Sequence, residues 1–352
     1  MTRLESGCDA GQNDTCTILA TIWQRVLQVP SVGINDNFFA LGGNSQTVDL
    51  LFAEIKHECK RELPSATIFH APTLGALASV LQQPNLPRFP PFILLKAGNR
   101  KPPVFIAPGL GGLATFSALA RQIQTEHAIY GLLAKGVDGQ DDPQDRIEDM
   151  ARFYLDAITD LQAEGPYSLI GYSFGGLVAL EIARRISESG KKVASLVLVD
   201  AYPHPRFLSP GQRLQLGIQR SARHISEVRR KSFSEAFSYV IGGLDRRLRR
   251  AEMRKGDEVL DASPLSLARA TSRVKDRSYV ALARYRPQPY QGTIKFVKNE
   301  GDTYFPGDPV PVWDRLAATL EVETVAGSHL NMVTTHFENL AAVLTRYLSA
   351  DS

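Results

Sequence analysis

YSLIGYSFGGLVALEIARRI, residues Tyr167 to Ile186, sets an apolar run against a helical pattern across a glycine-framed serine. It reads as a strand, a sharp turn and a helix, with Ser173 at the turn. The frame Gly171-Tyr172-Ser173-Phe174-Gly175 fits the nucleophile-elbow pattern G-x-S-x-G. Small residues are required there because the turn is strained and brings flanking backbone close together. Five residues alone occur often by chance. Lying between a strand and a helix, they become specific. Ser173 is then raised above a sheet at a helix N-terminus, where developing negative charge is favoured.

Working outward, apolar runs alternate with helical patterns from Phe92 onward. PVFIAP, AIYGLLA, YSLIGYS, VASLVLVD, TIKFVKN and EVETVAG read as buried parallel strands. Ile147, Met150, Ala151, Tyr154, Ile158 and Leu161 keep helical spacing between two of them. The alternation predicts a doubly wound α/β sheet. Residues 204–290 break it with a long basic helical stretch, which predicts a lid inserted over the site at the strand ends.

A hydroxyl needs a base, and the base needs an acid to hold it. In this arrangement the order along the chain is Ser, then Asp or Glu, then His. Asp200 ends VASLVLVD, and Asp302 in KNEGDTYF is its rival for the acid role. His329, in VAGSHLNM, follows the last strand and precedes the last helix, where a base belongs. His57 and His70 lie too early in the chain. His127, His204, His224 and His336 do not follow a strand in the required order. The oxyanion donors are expected to be the N–H groups of Phe174 and of Gly109 in APGLGG, with Leu110 second. That loop lacks the lysine of a P-loop and the spacing of a dinucleotide fingerprint.

Residues 14–82 read differently, as a small helical domain. Ile18, Leu19, Ile22, Val26 and Leu27 keep helical spacing until Pro30. Val48, Leu51, Phe52, Ile55 and Cys59 mark a helix beginning at about Ser45. A short helical turn at ATIFH follows, and Thr73 caps a fourth helix carrying Leu74, Leu77, Val80 and Leu81. QQPNLPRFPP then favours extended polyproline-like geometry, which makes 83–91 a semi-rigid linker.

Composition sets outer bounds. At 352 residues, two domains are expected, and 43% apolar with 22% charged residues is a globular balance. No signal peptide or apolar span predicts a membrane partner, and Cys8, Cys16 and Cys59 have no metal-type spacing. They read as reduced thiols of a cytoplasmic protein. The net charge of +3 hides an asymmetry. Residues 1–85 hold five Lys/Arg against eight Asp/Glu, while 204–290 hold nineteen against eight. No aromatic-interleaved or groove-reading motif accompanies the basic block, so nucleic acid is not the expected partner. A solvated helical face, or a docking surface for something acidic, accounts for it better.

These residues carry a family resemblance over nearly the whole chain. DNFFALGGNS, Asp36 to Ser45, resembles the attachment motif of peptidyl carrier (thiolation) domains of nonribosomal peptide synthetases. GYSFGG, VLVDA and GSHLNM are similar to the nucleophile, acid and base segments of type I thioesterases, the terminal release domains. The resemblance implies a small all-α four-helix carrier bundle followed by an α/β-hydrolase fold with a helical lid. It implies 4′-phosphopantetheine carried covalently on Ser45, placed there by a phosphopantetheinyl transferase. It favours Asp200 over Asp302, and it implies upstream condensation and adenylation domains and a tethered acyl or peptidyl thioester as partners. Adenylation and condensation signatures are absent from the chain, which resembles a terminal didomain or a short free-standing unit. Gln46 and Asn44 depart from that family's usual residues. Other readings are a polyketide or hybrid release unit, a proofreading thioesterase, or a free-standing esterase, which would not need the carrier.

Overall fold

The computed structural model describes residues 10–84, 90–110, 112–113, 116–139, 141–203, 211, 267–301 and 308–350. Most of the expected lid, 204–290, and Asp302 lie outside them, as does most of the 83–91 linker.

The N-terminal part is built from α1 (Ala10–Leu27), α2 (Ser45–Cys59), α3 (Thr67–His70) and α4 (Leu74–Gln82). Leu19, Ile22 and Trp23 of α1 meet Val48, Leu51 and Ile55 of α2 and Leu74, Leu77 and Ala78 of α4 in one core. These side chains recur every three or four residues, so each helix turns one apolar stripe inward. Each fully buried aliphatic side chain contributes on the order of 1.5–3 kcal/mol. Trp23 packs edge-on against Phe38 with ring centroids 5.0 Å apart. Thr73 caps α4 by accepting from the Ala76 N–H.

The start of α2 is capped by Asn44 rather than by its serine. Asn44 Oδ1 accepts the Thr47 N–H at 3.2 Å, and Thr47 Oγ1 accepts the Asn44 N–H at 2.8 Å. This is a reciprocal capping box with threonine in the usual Glu/Gln position. The departure at Asn44 therefore has a local physical reason.

The second part is one seven-stranded sheet. Its strands are β1 (Phe92–Lys96), β2 (Arg100–Ala107), β3 (His127–Leu132), β4 (Tyr167–Tyr172), β5 (Val193–Val199), β6 (Tyr290–Asn299) and β7 (Ala317–Val325). They lie in the order β1-β3-β2-β4-β5-β6-β7. All neighbours are parallel except β1, which runs antiparallel to β3. The helices are α5 (Phe116–Gln122), α6 (Ile147–Leu161), α7 (Phe174–Glu188), α8 (Leu267–Arg284), α9 (Val310–Leu316), α10 (Asn331–Thr334) and α11 (Phe337–Ala350).

Helices cover both faces, so the central strands are buried on both sides. All six residues of β4 are buried. One apolar cluster sets α6, α7 and α9 against one face, and a second sets α5, α10 and α11 against the other. Two expectations about strands are corrected. FILLK forms an antiparallel edge strand that periodicity did not reveal. β7 is an edge whose only fully buried residue is Val325, not a strand buried on both faces. Among the described residues, no helix is long and apolar enough to cross a membrane.

Glu181, on α7, is buried and holds three partners. Arg184 and Arg185 each bond to its Oε1 at 2.9 Å, and the Tyr285 hydroxyl donates to Oε2 at 3.2 Å. Burial pushes the carboxyl up, but the hydrogen bonds and charges of the two arginines outweigh it and hold the carboxyl below its usual range.

Candidate active site

The site is assembled at the C-terminal ends of β4, β5 and β7. Ser173 stands between β4 and α7 with φ 55° and ψ −120°, a backbone region that side chains rarely adopt. The glycines of its frame allow this. A Cβ on Gly175 would lie 2.1 Å from the Ala107 carbonyl oxygen, and one on Gly171 would lie 2.5 Å from the Gly176 Cα. Crossing strand, turn and helix at this distance leaves no room for larger residues. The Ser173 N–H donates to the Val199 carbonyl at 2.9 Å and ties the turn to β5.

Asp200 follows β5 and also has positive φ, 43°. Its N–H donates to the Val297 carbonyl at 2.7 Å, which fixes it between β5 and β6. The side chain is 1% exposed. Its Oδ2 accepts three hydrogen bonds: from His329 Nδ1 at 2.5 Å, from Asn299 Nδ2 at 2.5 Å and from the Tyr202 hydroxyl at 3.0 Å. Oδ1 is buried and has no hydrogen-bond partner among the described residues.

His329 lies in the turn after β7 and is 8% exposed. Its ring stacks on Tyr172 with centroids 5.0 Å apart, and Tyr202 lies 5.6 Å away. The Tyr172 hydroxyl donates to the His329 carbonyl at 2.5 Å. Nδ1 is thus committed to Asp200, which leaves Nε2 as the basic nitrogen.

Gly109 lies against the serine. A Cβ built on it would stand 3.2 Å from Ser173 Cβ and 3.0 Å from the Tyr172 ring. Phe174 is the first residue of α7, where backbone N–H groups lack helical partners. The structure therefore brings Ser173, Phe174, Gly109, Asp200 and His329 to one end of the sheet. Ser45 is the first residue of α2, in the other part of the chain.

A cavity of about 380 Å³ joins the two parts. Gly43, Asn44 and Phe69 wall one side; Gly109, Phe174 and Thr271 wall the other. Its walls include Asn44, which precedes Ser45 in the chain, and Phe174 and Gly175, which follow Ser173. Its surface is mostly apolar.

Sequence reasoning missed three residues of the site: Asn299, Tyr202 and Tyr172. Asn299 ends β6, the strand that also leads to Asp302, but it contributes an amide rather than an acid. Tyr172 stood inside the quoted motif, in the variable position between Gly171 and Ser173. No spacing rule marked any of them.

Residues 102–348 match the thioesterase domain family, and residues 17–81 match the phosphopantetheine attachment site family. The earlier segment is thus the site of covalent 4′-phosphopantetheine attachment. The chain is 36% identical over 189 residues, 53% of its length, to the dimodular nonribosomal peptide synthase of Bacillus subtilis. It is 28% identical over 321 residues, 89% of its length, to malpibaldin synthetase of Mortierella alpina. The matched regions are 8% and 5% of those two proteins. A solved four-domain nonribosomal peptide synthetase shares the fold with a TM-score of 0.57 at 24% identity, over 99% of this chain and 27% of that one. With the family match reaching from β2 to α11, and the attachment domain preceding it, the chain belongs to the thioesterase domain family and carries its own carrier domain.

Proposed function

We propose that the chain is a chain-terminating thioesterase. It takes an acyl or peptidyl group delivered as a thioester from its own carrier and releases it by hydrolysis or by intramolecular cyclisation. The observation that carries this reading is a cavity walled both by Asn44, next to Ser45 in the chain, and by Phe174, next to Ser173. The carrier is assigned to 14–82, a four-helix bundle, the linker to 83–91 and the thioesterase to 92–352. A lid is assigned to about 204–290, of which α8 is the described helix.

Ser45 is the proposed attachment residue. As the first residue of α2 it stands where helix N–H groups and the dipole favour an added phosphate, and Asn44 has taken over the capping role. When acylated, the phosphopantetheine group supplies the thioester.

The chemistry falls to Ser173, His329 and Asp200. Ser173 Oγ attacks the thioester carbonyl while His329 Nε2 takes its proton. The Phe174 and Gly109 N–H groups hold the oxyanion. Collapse breaks the carbon–sulfur bond, and His329 returns the proton to the departing sulfur, leaving an ester on Ser173. Water, or a nucleophile within the acyl chain, then attacks that ester, with His329 again as base. Asp200 holds the Nδ1–H tautomer throughout and stabilises the imidazolium. Tethering replaces a bimolecular encounter by a high effective concentration. Upstream condensation and adenylation domains supply the acyl chain in this reading, and a phosphopantetheinyl transferase converts Ser45.

The test is to trap the ester. A chain acylated through Ser45 and quenched in acid during a single turnover should carry acyl mass on the peptide containing Ser173. Acyl mass on any serine peptide other than those holding Ser45 and Ser173 contradicts the assignment.

A further inference from the structure

We propose that Asp49 is the residue by which the thioesterase recognises its carrier, capping helix α8 from the neighbouring domain. The inference rests on the delivery reading above and adds the contact that seats the carrier.

A helix leaves its first N–H groups without internal partners. The first residue of α8 is Leu267, and its N–H donates to Asp49 Oδ1 at 2.7 Å. Asp49 lies on α2, in the other domain. A carboxylate there meets both an unpaired donor and the positive end of the α8 dipole. The side chain of the same residue points the same way. Leu267 is 3% exposed and packs within the carrier's apolar core cluster. Both the backbone and the side chain of Leu267 therefore engage the carrier.

The position of Asp49 gives the contact its use. It stands four residues after Ser45, about 6 Å along α2 and on nearly the same face. Fixing Asp49 on α8 therefore fixes the first turn of α2, which Ser45 opens. One turn after Leu267, Thr271 walls the cavity that Asn44 also lines. One helix thus seats the carrier and bounds the cavity.

The rest of α8 is held on the thioesterase. Arg273 pairs with Asp142 at 2.5 Å, and Arg284 pairs with Asp145 at 2.6 Å. Tyr285, just beyond the helix, bonds to Glu181 of α7. These basic residues are directed to acids of their own domain. In the described part of 204–290, a directed cap therefore explains carrier docking better than a diffuse basic field. The partner this surface fits is a carrier domain with an acceptor one turn past its attachment serine and an apolar slot for a leucine.

The experiment uses the full chain, loaded on Ser45 with an octanoyl group from octanoyl-coenzyme A. Intact mass follows single-turnover loss of the octanoyl group, and octanoyl-N-acetylcysteamine serves as the soluble thioester on the same proteins. In Asp49→Ala the ratio of carrier-borne to soluble release should fall about tenfold, the size of one charge-assisted hydrogen bond. Asp49→Asn keeps an accepting oxygen and should lose no more than about threefold. Leu267→Ala, which leaves every carrier residue in place, should lower the same ratio. Hydrogen exchange at the first turn of α8 should quicken in Asp49→Ala. An unchanged ratio together with unchanged exchange in that variant overturns the proposal. If the wild type releases neither thioester while the exchange difference persists, the contact stands and the release reading falls.

Discussion

Nδ1 of His329 lies 2.5 Å from Oδ2 of Asp200, and the aspartate is 1% exposed. A buried carboxylate committed to one ring nitrogen fixes the tautomer and leaves the other nitrogen to act as base. Asp200→Asn should lower kcat on a soluble thioester by roughly a thousandfold or more, because the amide can no longer enforce that tautomer. Asp302→Asn should stay within about threefold. Steady-state kinetics on the two variants decides between the acids; the reverse order would reassign the role to Asp302.

Asn299 donates to the same carboxylate oxygen at 2.5 Å and is itself buried. Its amide positions Asp200 and touches no reacting atom. Asn299→Ala should lower kcat about tenfold with KM nearly unchanged, because the lost contact supports the reacting state rather than substrate binding. Asn299→Ser, which keeps a donor, should recover part of the rate. A KM effect without a kcat effect contradicts a positioning role.

His70, in the short helix before Thr73, is pushed by burial from 6.5 down to about 4. Its folded form resists the proton that the unfolded chain accepts. Stability is therefore full above about pH 6.5 and is lost progressively as pH falls toward 4. Allowing for partial exposure, the loss amounts to roughly 2 kcal/mol. Urea unfolding of the carrier at pH 7 and pH 4.5, followed through Trp23, should show a smaller pH difference in His70→Gln than in wild type. An equal difference in both would remove His70 as the cause.

The parts of this molecule that were legible in its sequence are those specified by local pattern. Leu19 to Leu27, Val48 to Cys59 and Leu74 to Leu81 carry apolar stripes that lie on observed helices. The six expected strands are present; the central ones were legible because strands covered on both faces must be nearly all apolar, while β7 is an edge with only Val325 buried. Ser173, Asp200 and His329 were findable because each follows a strand in a set order. What escaped depends on convergence in space. FILLK is too short, and too close to Pro90 and Pro91, to announce an antiparallel edge. Asn299, Tyr172 and Tyr202 acquire their roles only when three strand ends meet around Asp200. Asp49 and Leu267 stand 218 residues apart, and no periodicity links them. The Asn44–Thr47 box is the exception, since Asn-x-x-Thr before an apolar run was readable as a cap.

The central claim is that the acyl group passes from Ser45 to Ser173 before leaving. The most direct test loads the phosphopantetheinylated chain with an acyl group and follows its mass in wild type and Ser173→Ala. Wild type should lose the acyl group within minutes and return to the mass of the phosphopantetheinylated protein. Ser173→Ala should keep it on Ser45, released no faster than the thioester hydrolyses in buffer. Release from Ser173→Ala at the wild-type rate would contradict the account.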